Sequence, residues 1–595
     1  MEKYNSRKDV PEKYKWDLTE FFKDEKDFKE NYDKTVEDVK SLSEYVGCTK
    51  DSNKLYEFLK KDINVCSTVL DLYVYAYLIN DQELGISESM DRKAKTEKLY
   101  SDYSNAVSFF EPELLELSKE EYEKLYENNK LVEFKNNLDK TYRNKEHILT
   151  KEEEIIINEL TSAMNHFDDM SSTMLNQEHD YGRITIDGNE ETITSTNYRK
   201  LMKNENRETR KEIREKYSKV LDQYAVSSSQ FLDSYVKKNI AECKIRKYKS
   251  CFDSKLFNLN MPNEVFEALV KTVENNNDSY QKYLRLFKDV HKLDKLYAYD
   301  LNLDFAKSDK KYSIEEAQQL CLKAVKPLGE EYVKHFKKVF DNRYIDYAQY
   351  KGKCSGGYSF ATYDKDSRIL MSFNNDLESV STIIHEGGHN VNHQIMNENN
   401  PIQYRDTSSI VAEVASLTNE CLLSSYLAEN GTSKEEKLSG IANIIEVINS
   451  NLFGAVREGH MEQDFYNYVE NGGTITKDYM NNLTKEYIDK LQGKEVENDS
   501  YSYLTWARRS HYYMFFYLYS YAICISVASY LASEILNGNK EVLDKYTKFL
   551  AIGCDVWPID AFKVLGIDLT KKDVYEKAIE YYKNLLDKFE TIYNN

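Results

Sequence analysis

The sequence predicts a mainly α-helical protein, and three observations predict it. Helix breakers are scarce: 595 residues contain 20 glycines and 6 prolines. Runs rich in Lys, Glu, Leu and Tyr therefore keep a helical period over long stretches. Alternating, β-like patterning is confined to two short segments, near 183–194 and 354–374.

Taken in order, the first 180 residues read as long amphipathic helices, and the run Leu70 to Leu84 is apolar enough for a core helix. Around Asp187-Gly188 the pattern changes to alternating β-branched residues, a hairpin signal. Helices resume after it. A boundary is expected near residue 200, between an N-terminal helical lobe (1–200) and a larger domain (201–595). Residues 260 to 345 are helical by period. The second β-like patch has paired glycines and an alternating run, Arg368 to Phe373, that reads as a sheet edge. From about residue 376 helices dominate to the end.

A chain of this length exceeds what one hydrophobic core fills, so two or more lobes are expected. Hydrophobic residues at 41%, charged residues at 31% and a mean hydropathy of -0.69 fit a soluble protein with real cores. The net charge of -20 argues against nucleic acid as a partner, because phosphate binding needs clustered Lys and Arg. Nine scattered cysteines with no C-x-x-C point to a reducing compartment. The first residues lack an apolar targeting core, so a cytoplasmic location is expected. Between Arg509 and Glu534 the only ionisable group that could carry a positive charge is His511, and the stretch is long enough to span a bilayer. Its six tyrosines and several serines suit lipid poorly, so it reads as a buried helix lining something polar, with no membrane partner.

The segment Ser381 to His393, STIIHEGGHNVNH, carries the chemistry. Asn375 or Asp376 can cap its helix, Leu377, Val380, Ile384 and Val391 recur at helical spacing, and Pro401 ends it. On that helix His385 and His389 lie one turn apart on one face, the spacing that lets two imidazoles share a zinc ion. Glu386 is rotated by about 100° from His385. It is poorly placed to bind the same ion and well placed to take a proton from a metal-activated water.

A catalytic zinc needs a third protein ligand. His393 lies two turns from His385, about 12 Å along the axis, too far to join both motif histidines. The metzincin spacing would require a histidine where this chain has Ile395. Glu413 is the leading candidate, because a carboxylate among Ile410, Val411, Val414 and Leu417 is costly unless paired or metal-bound. Glu420, two turns further, is a candidate supporting or alternative ligand. Downstream, Tyr513, Tyr517 and Tyr521 recur every four residues after His511. A phenol there could donate to an oxyanion, or the row could be an aromatic core stripe.

Taken together, these segments resemble the oligoendopeptidase F group of the thimet-oligopeptidase family of zinc peptidases. The likeness runs through VPEKYKWDLTEFF, ITIDGNEETITS, KLYAYDLNL, KGKCSGGYSFATYD, AEVASLTNE and WARRSHYYMFFYLYSYAICIS, and spans nearly the whole chain. It implies a two-lobed, clam-like helical body with a small β patch beside the active-site helix and a deep central channel. It implies one zinc ion per chain on His385, His389 and Glu413, with Glu386 as general base. It favours His511 and Tyr521 as the oxyanion donors, with Tyr517 and Tyr513 as substrate contacts. The implied substrates are short peptides cut at internal bonds. A carboxypeptidase or peptidyl-dipeptidase would share the zinc site but would need a group for the substrate's terminal carboxylate. One departure stands out: the family usually has a bulky residue where this chain has Gly387, which suggests a wider site wall. The run Ser367 to Phe373 is expected to offer its edge to an extended substrate.

Overall fold

The computed structural model describes residues 4–595. It is 71% helical and 3% strand, so the mainly α expectation holds. The chain forms two compact units, each assembled from separate segments. The first comprises Met1–Glu146, Asp309–Tyr426 and Glu534–Gly566; the second comprises His147–Ser308, Leu427–Ser533 and Ile567–Asn595.

A boundary near residue 200 is not where these units part. That position lies inside the second unit, because the hairpin and the helix after it share one core. Tyr181, Ile184, Ile193, Tyr198 and Leu201 pack there with Ile213, Tyr217 and Leu221. The hairpin itself is where the pattern put it: β1 (Arg183–Ile186) pairs antiparallel with β2 (Asn189–Thr192). Asp187 and Gly188 both have positive φ, 50° and 82°, as a two-residue I′ turn demands.

In the first unit, helices Glu25–Leu42 and Ser52–Gln82 each bury a mainly apolar face, and helix Ser87–Val107 packs on them with Leu99 buried. The expected core run is the C-terminal half of the second of these, with Leu72, Val74, Ala76 and Leu78 fully buried. Leu370 joins this core from a three-stranded sheet and anchors the sheet to it. That sheet has β5 (Arg368–Leu370) in the middle, parallel to β3 (Ile345–Asp346) and antiparallel to β4 (Tyr358–Phe360). The run read as an edge is therefore the central strand, with both sides of its main chain already paired. The outer strands are β3 and β4, and the N-terminal segment runs along β3, with the Asp17 N–H donating to the Arg343 carbonyl and the Tyr347 N–H to the Tyr14 carbonyl.

The second unit contains the 39-residue helix Arg207–Ile245, helix Ala455–Glu470 and all but the last three residues of helix Leu518–Leu536. This helix is long and apolar enough to cross a membrane, and 72% of its apolar window is buried inside the structure. The uncharged stretch before it is not one continuous helix. A 3-10 turn covers Ser510–Tyr513, and the α-helix begins only at Leu518.

Candidate active site

The motif helix, Leu377–Asn399, is capped by Asp376, whose side chain accepts the Ser379 N–H at 2.9 Å. Val380, Ile383, Ile384 and Val391 are fully buried and fix which way the helix faces. It packs against the partner helix, Ser409–Asn430. Gly388 makes the approach possible, since a Cβ there would lie 2.8 Å from the Cα of Ser416 and 3.1 Å from the Ala415 carbonyl. Asn419 then bridges the two helices, donating to the Ile384 carbonyl at 3.2 Å and accepting from Tyr332 at 3.0 Å.

This packing brings His385, His389 and Glu413 together, with one ligand atom from each within 4.8 Å of the others. Glu413 Oε2 is 3.7 Å from His385 Nε2 and 3.8 Å from His389 Nε2. Ligands of a tetrahedral zinc at about 2.0 Å sit about 3.3 Å apart, so both carboxylate spacings fit within half an ångström. The donor set, two imidazoles and a carboxylate, is that of a catalytic zinc site. Glu413 does not stay among its apolar neighbours: its side chain keeps 29% of its surface exposed and turns to the histidines. Ser416 Oγ steadies it with a 3.1 Å hydrogen bond.

Glu420 is not a fourth ligand. Its Oε1 accepts from His385 Nδ1 at 2.6 Å and its Oε2 accepts from Ser381 Oγ at 3.2 Å. With Nδ1 committed to Glu420, Nε2 is the nitrogen left facing Glu413 and His389, and it offers a lone pair there once its own proton is released. Burial opposes a proton on His385, but the Glu420 hydrogen bond and charge, then Glu413 and Glu386, lift it to about 9. Burial and the adjacent His385 push His389 down to about 3, against a main-chain hydrogen bond at Ala412. Burial, then the charges of Glu413 and Glu420, hold the Glu386 carboxyl above its ordinary range, while His385 opposes them.

His393 stands apart, as its spacing required. Burial pushes it down to about 4, and it is hydrogen-bonded to the main chain at Thr362. Gly387 does not open the site wall: a Cβ at that position would strike the ring of Phe336, which is fully buried. That ring, from helix Glu330–Asp341, takes the space the sequence left open. Sequence reasoning had no signal for Phe336, because nothing local couples it to position 387.

In the second unit His511 lies on the 3-10 turn, its ring 6.0 Å from that of Tyr521, which is 5.2 Å from Tyr517. Burial, then Arg509, lowers the His511 pKa against the charge of Glu458, which favours the neutral ring. Tyr513 breaks from the row. Its ring is 5.1 Å from Tyr235, whose hydroxyl donates to the Tyr513 carbonyl at 2.8 Å, and burial raises its phenol. The four-residue period fails because the chain is not helical between 514 and 517.

Comparison with known proteins places the chain in a class. The profile of peptidase family M3 matches residues 200–581, and that of the oligopeptidase F N-terminal region matches 113–180. The chain belongs to peptidase family M3, and it is a peptidase. It is 30% identical to oligopeptidase PepF of Bacillus subtilis over 590 residues, covering 98% of this chain and 88% of that one. It is 27% identical to group B oligopeptidase PepB of Streptococcus agalactiae, over 99% of this chain and 98% of that one. A crystal structure from Chlamydophila abortus superimposes with a TM-score of 0.93 at 25% identity, over 99% of this chain and all of that one (100%). The fold is also that of oligoendopeptidase-F from Enterococcus faecium, at a TM-score of 0.73 and 24% identity over 96% of this chain and 99% of that one.

Proposed function

We propose that this peptidase is a cytoplasmic, zinc-dependent endopeptidase of short peptides, with one zinc held by His385, His389 and Glu413. The observation that carries it is the convergence of those three ligand atoms, with Glu386 next in sequence to the first. Zinc bound there supplies Lewis acidity, polarising a peptide carbonyl and acidifying the attacking water. Glu386 takes the proton from that water and returns it to the departing amine. His511 and Tyr521 are assigned to the developing oxyanion on family likeness and donor chemistry, since a neutral imidazole and a phenol each have one hydrogen to give. Tyr517, in ring contact with Tyr521, is kept as a substrate contact; Tyr513, packed on Tyr235, is not. The cytoplasmic assignment draws on nine cysteines that form no disulfide with one another, most of them buried.

In this reading an extended substrate pairs its main chain with β4, an edge strand, in place of β5. The loop leading into β4 lies against the motif helix: a Cβ on Gly357 would be 3.0 Å from Thr382, one turn before His385. A bound peptide analogue that makes no main-chain contact with residues 358–360 would remove this proposal.

The central test is cleavage of an internally quenched peptide blocked at both ends, with and without a zinc chelator. Chelator-sensitive cleavage is expected, together with about one zinc per chain by metal analysis. Glu386→Gln should keep the metal and lose at least about a hundredfold in rate. Full turnover by that variant rejects the role of Glu386. Zinc-loaded protein that cuts free peptides but spares amidated ones would point to an exopeptidase instead.

A further inference from the structure

The bend Met514–Tyr517, which separates His511 from Tyr521, holds two successive aromatic residues in the left-handed backbone region. Phe515 has φ 46° and Phe516 has φ 54°. Bulky residues rarely adopt this conformation, and it persists only where the surroundings over-determine it.

The surroundings here are specific. The Phe516 ring is 1% exposed and packs 4.6 Å from Tyr466 and 5.1 Å from Phe252. The Phe516 N–H donates to Glu462 Oε1 at 2.8 Å. Glu462 is completely buried (0% exposed), and its other oxygen has no hydrogen-bond partner. A carboxyl buried with one half unused is costly, so its presence calls for a use. One turn earlier on the same helix, Glu458 pairs with Arg509 at 2.5 Å. A single helix, Ala455–Glu470, thus grips the chain on both sides of His511.

We propose that Glu462 is a positioning residue for the reaction: by accepting the Phe516 N–H it locks the left-handed bend and fixes where His511 and Tyr521 present their donors. The inference rests on the oxyanion role assigned to those two residues. The groups that face Glu462 are Lys255, Glu458, Tyr235, Tyr466, Tyr512 and Tyr519. Lys255 attracts the carboxylate and Glu458 repels it, and burial outweighs both, so the side chain acts as a neutral or nearly neutral acceptor.

Three variants of the zinc-loaded enzyme test this. Glu462→Gln keeps the acceptor at the same reach and should stay within about threefold of wild-type kcat, well under the loss expected from misplacement. Glu462→Leu removes the acceptor, and Glu462→Asp draws it back while keeping the acid. Each should lower kcat by on the order of ten- to a hundredfold, with KM and bound zinc unchanged. Hydrogen exchange in a peptide covering residues 512–521 should quicken in both. If the leucine variant does not fold, the contrast of aspartate with glutamine decides. Wild-type kcat in the aspartate variant overturns the proposal, as does lost kcat with unchanged exchange at 512–521. His511→Ala and Tyr521→Phe are measured alongside: wild-type kcat in both rejects the oxyanion reading itself. Reduced kcat in those two with wild-type kcat in Glu462→Asp rejects only the positioning role.

Discussion

Glu420 decides how His385 behaves. A histidine in an H-E-x-x-H motif can present either ring nitrogen to a metal, and the choice is set by what the other nitrogen does. Here Nδ1 is bound to a carboxylate whose second oxygen is held in place by Ser381, so the ring can neither flip nor change tautomer without breaking its hydrogen bond to Glu420. We expect Glu420→Ala to weaken zinc binding by about 10- to 100-fold while the protein stays folded, checked by competition with a chelator of known affinity. Unchanged affinity would mean that the hydrogen bond orients nothing. At this scale the sequence was highly legible. The i, i+4 histidines, the adjacent glutamate and a carboxylate in an apolar run follow from helical geometry and the cost of burying charge. The commitment of both Glu420 oxygens was not legible, because it depends on which side chains meet across two packed helices.

At the level of elements, the site depends on how closely two helices can pack. Two glycines in mid-helix cost about 1 kcal/mol each relative to alanine, and each has a separate reason to be there. Gly387 admits the ring of Phe336, and Gly388 admits the backbone of the partner helix. Gly388→Ala sets a propensity gain of about 1 kcal/mol against an overpacking cost of about 1–3 kcal/mol. The cost should win, because the atoms it meets at 2.8 Å and 3.1 Å are backbone and cannot rotate away. The expected result is a lower melting temperature and weaker zinc retention, since Glu413 shifts with its helix. A more stable variant with full zinc content would show that the helices can separate freely. Two readings of elements failed for a common reason. The tyrosine row and the β5 edge were both inferred from local period. Local period does not register a bend held by Glu462, nor a third strand supplied by Ile345–Asp346.

For the whole molecule, the buried acid Glu462 ties stability to pH. Burial raises it to about 8, from about 4.5 for an ordinary glutamate. Between those values the folded protein keeps a proton that the unfolded chain has released, so stability falls as pH rises through the window. Below it both states are protonated, and above it both are ionised and the cost of the buried charge is fully present. Glutamine does not titrate. The melting temperature of Glu462→Gln relative to wild type should therefore rise from about pH 5 to about pH 8 and then level off. A difference independent of pH would show that Glu462 carries no raised pKa.

By itself the sequence determined the helical class, the hairpin at Asp187-Gly188 and the three residues, His385, His389 and Glu413, whose ligand atoms converge. Each follows from rules acting over a few residues: scarce breakers, a turn that needs positive φ, a one-turn repeat on a helix face, and the cost of a carboxylate in an apolar run. Only the tertiary structure decided that residue 200 lies within a unit, that β5 is central, that Phe336 fills the space at Gly387, and that Glu462 holds the bend beside His511. Those depend on partners far along the chain. Non-local packing is chosen by the fit of whole surfaces, which no local pattern records.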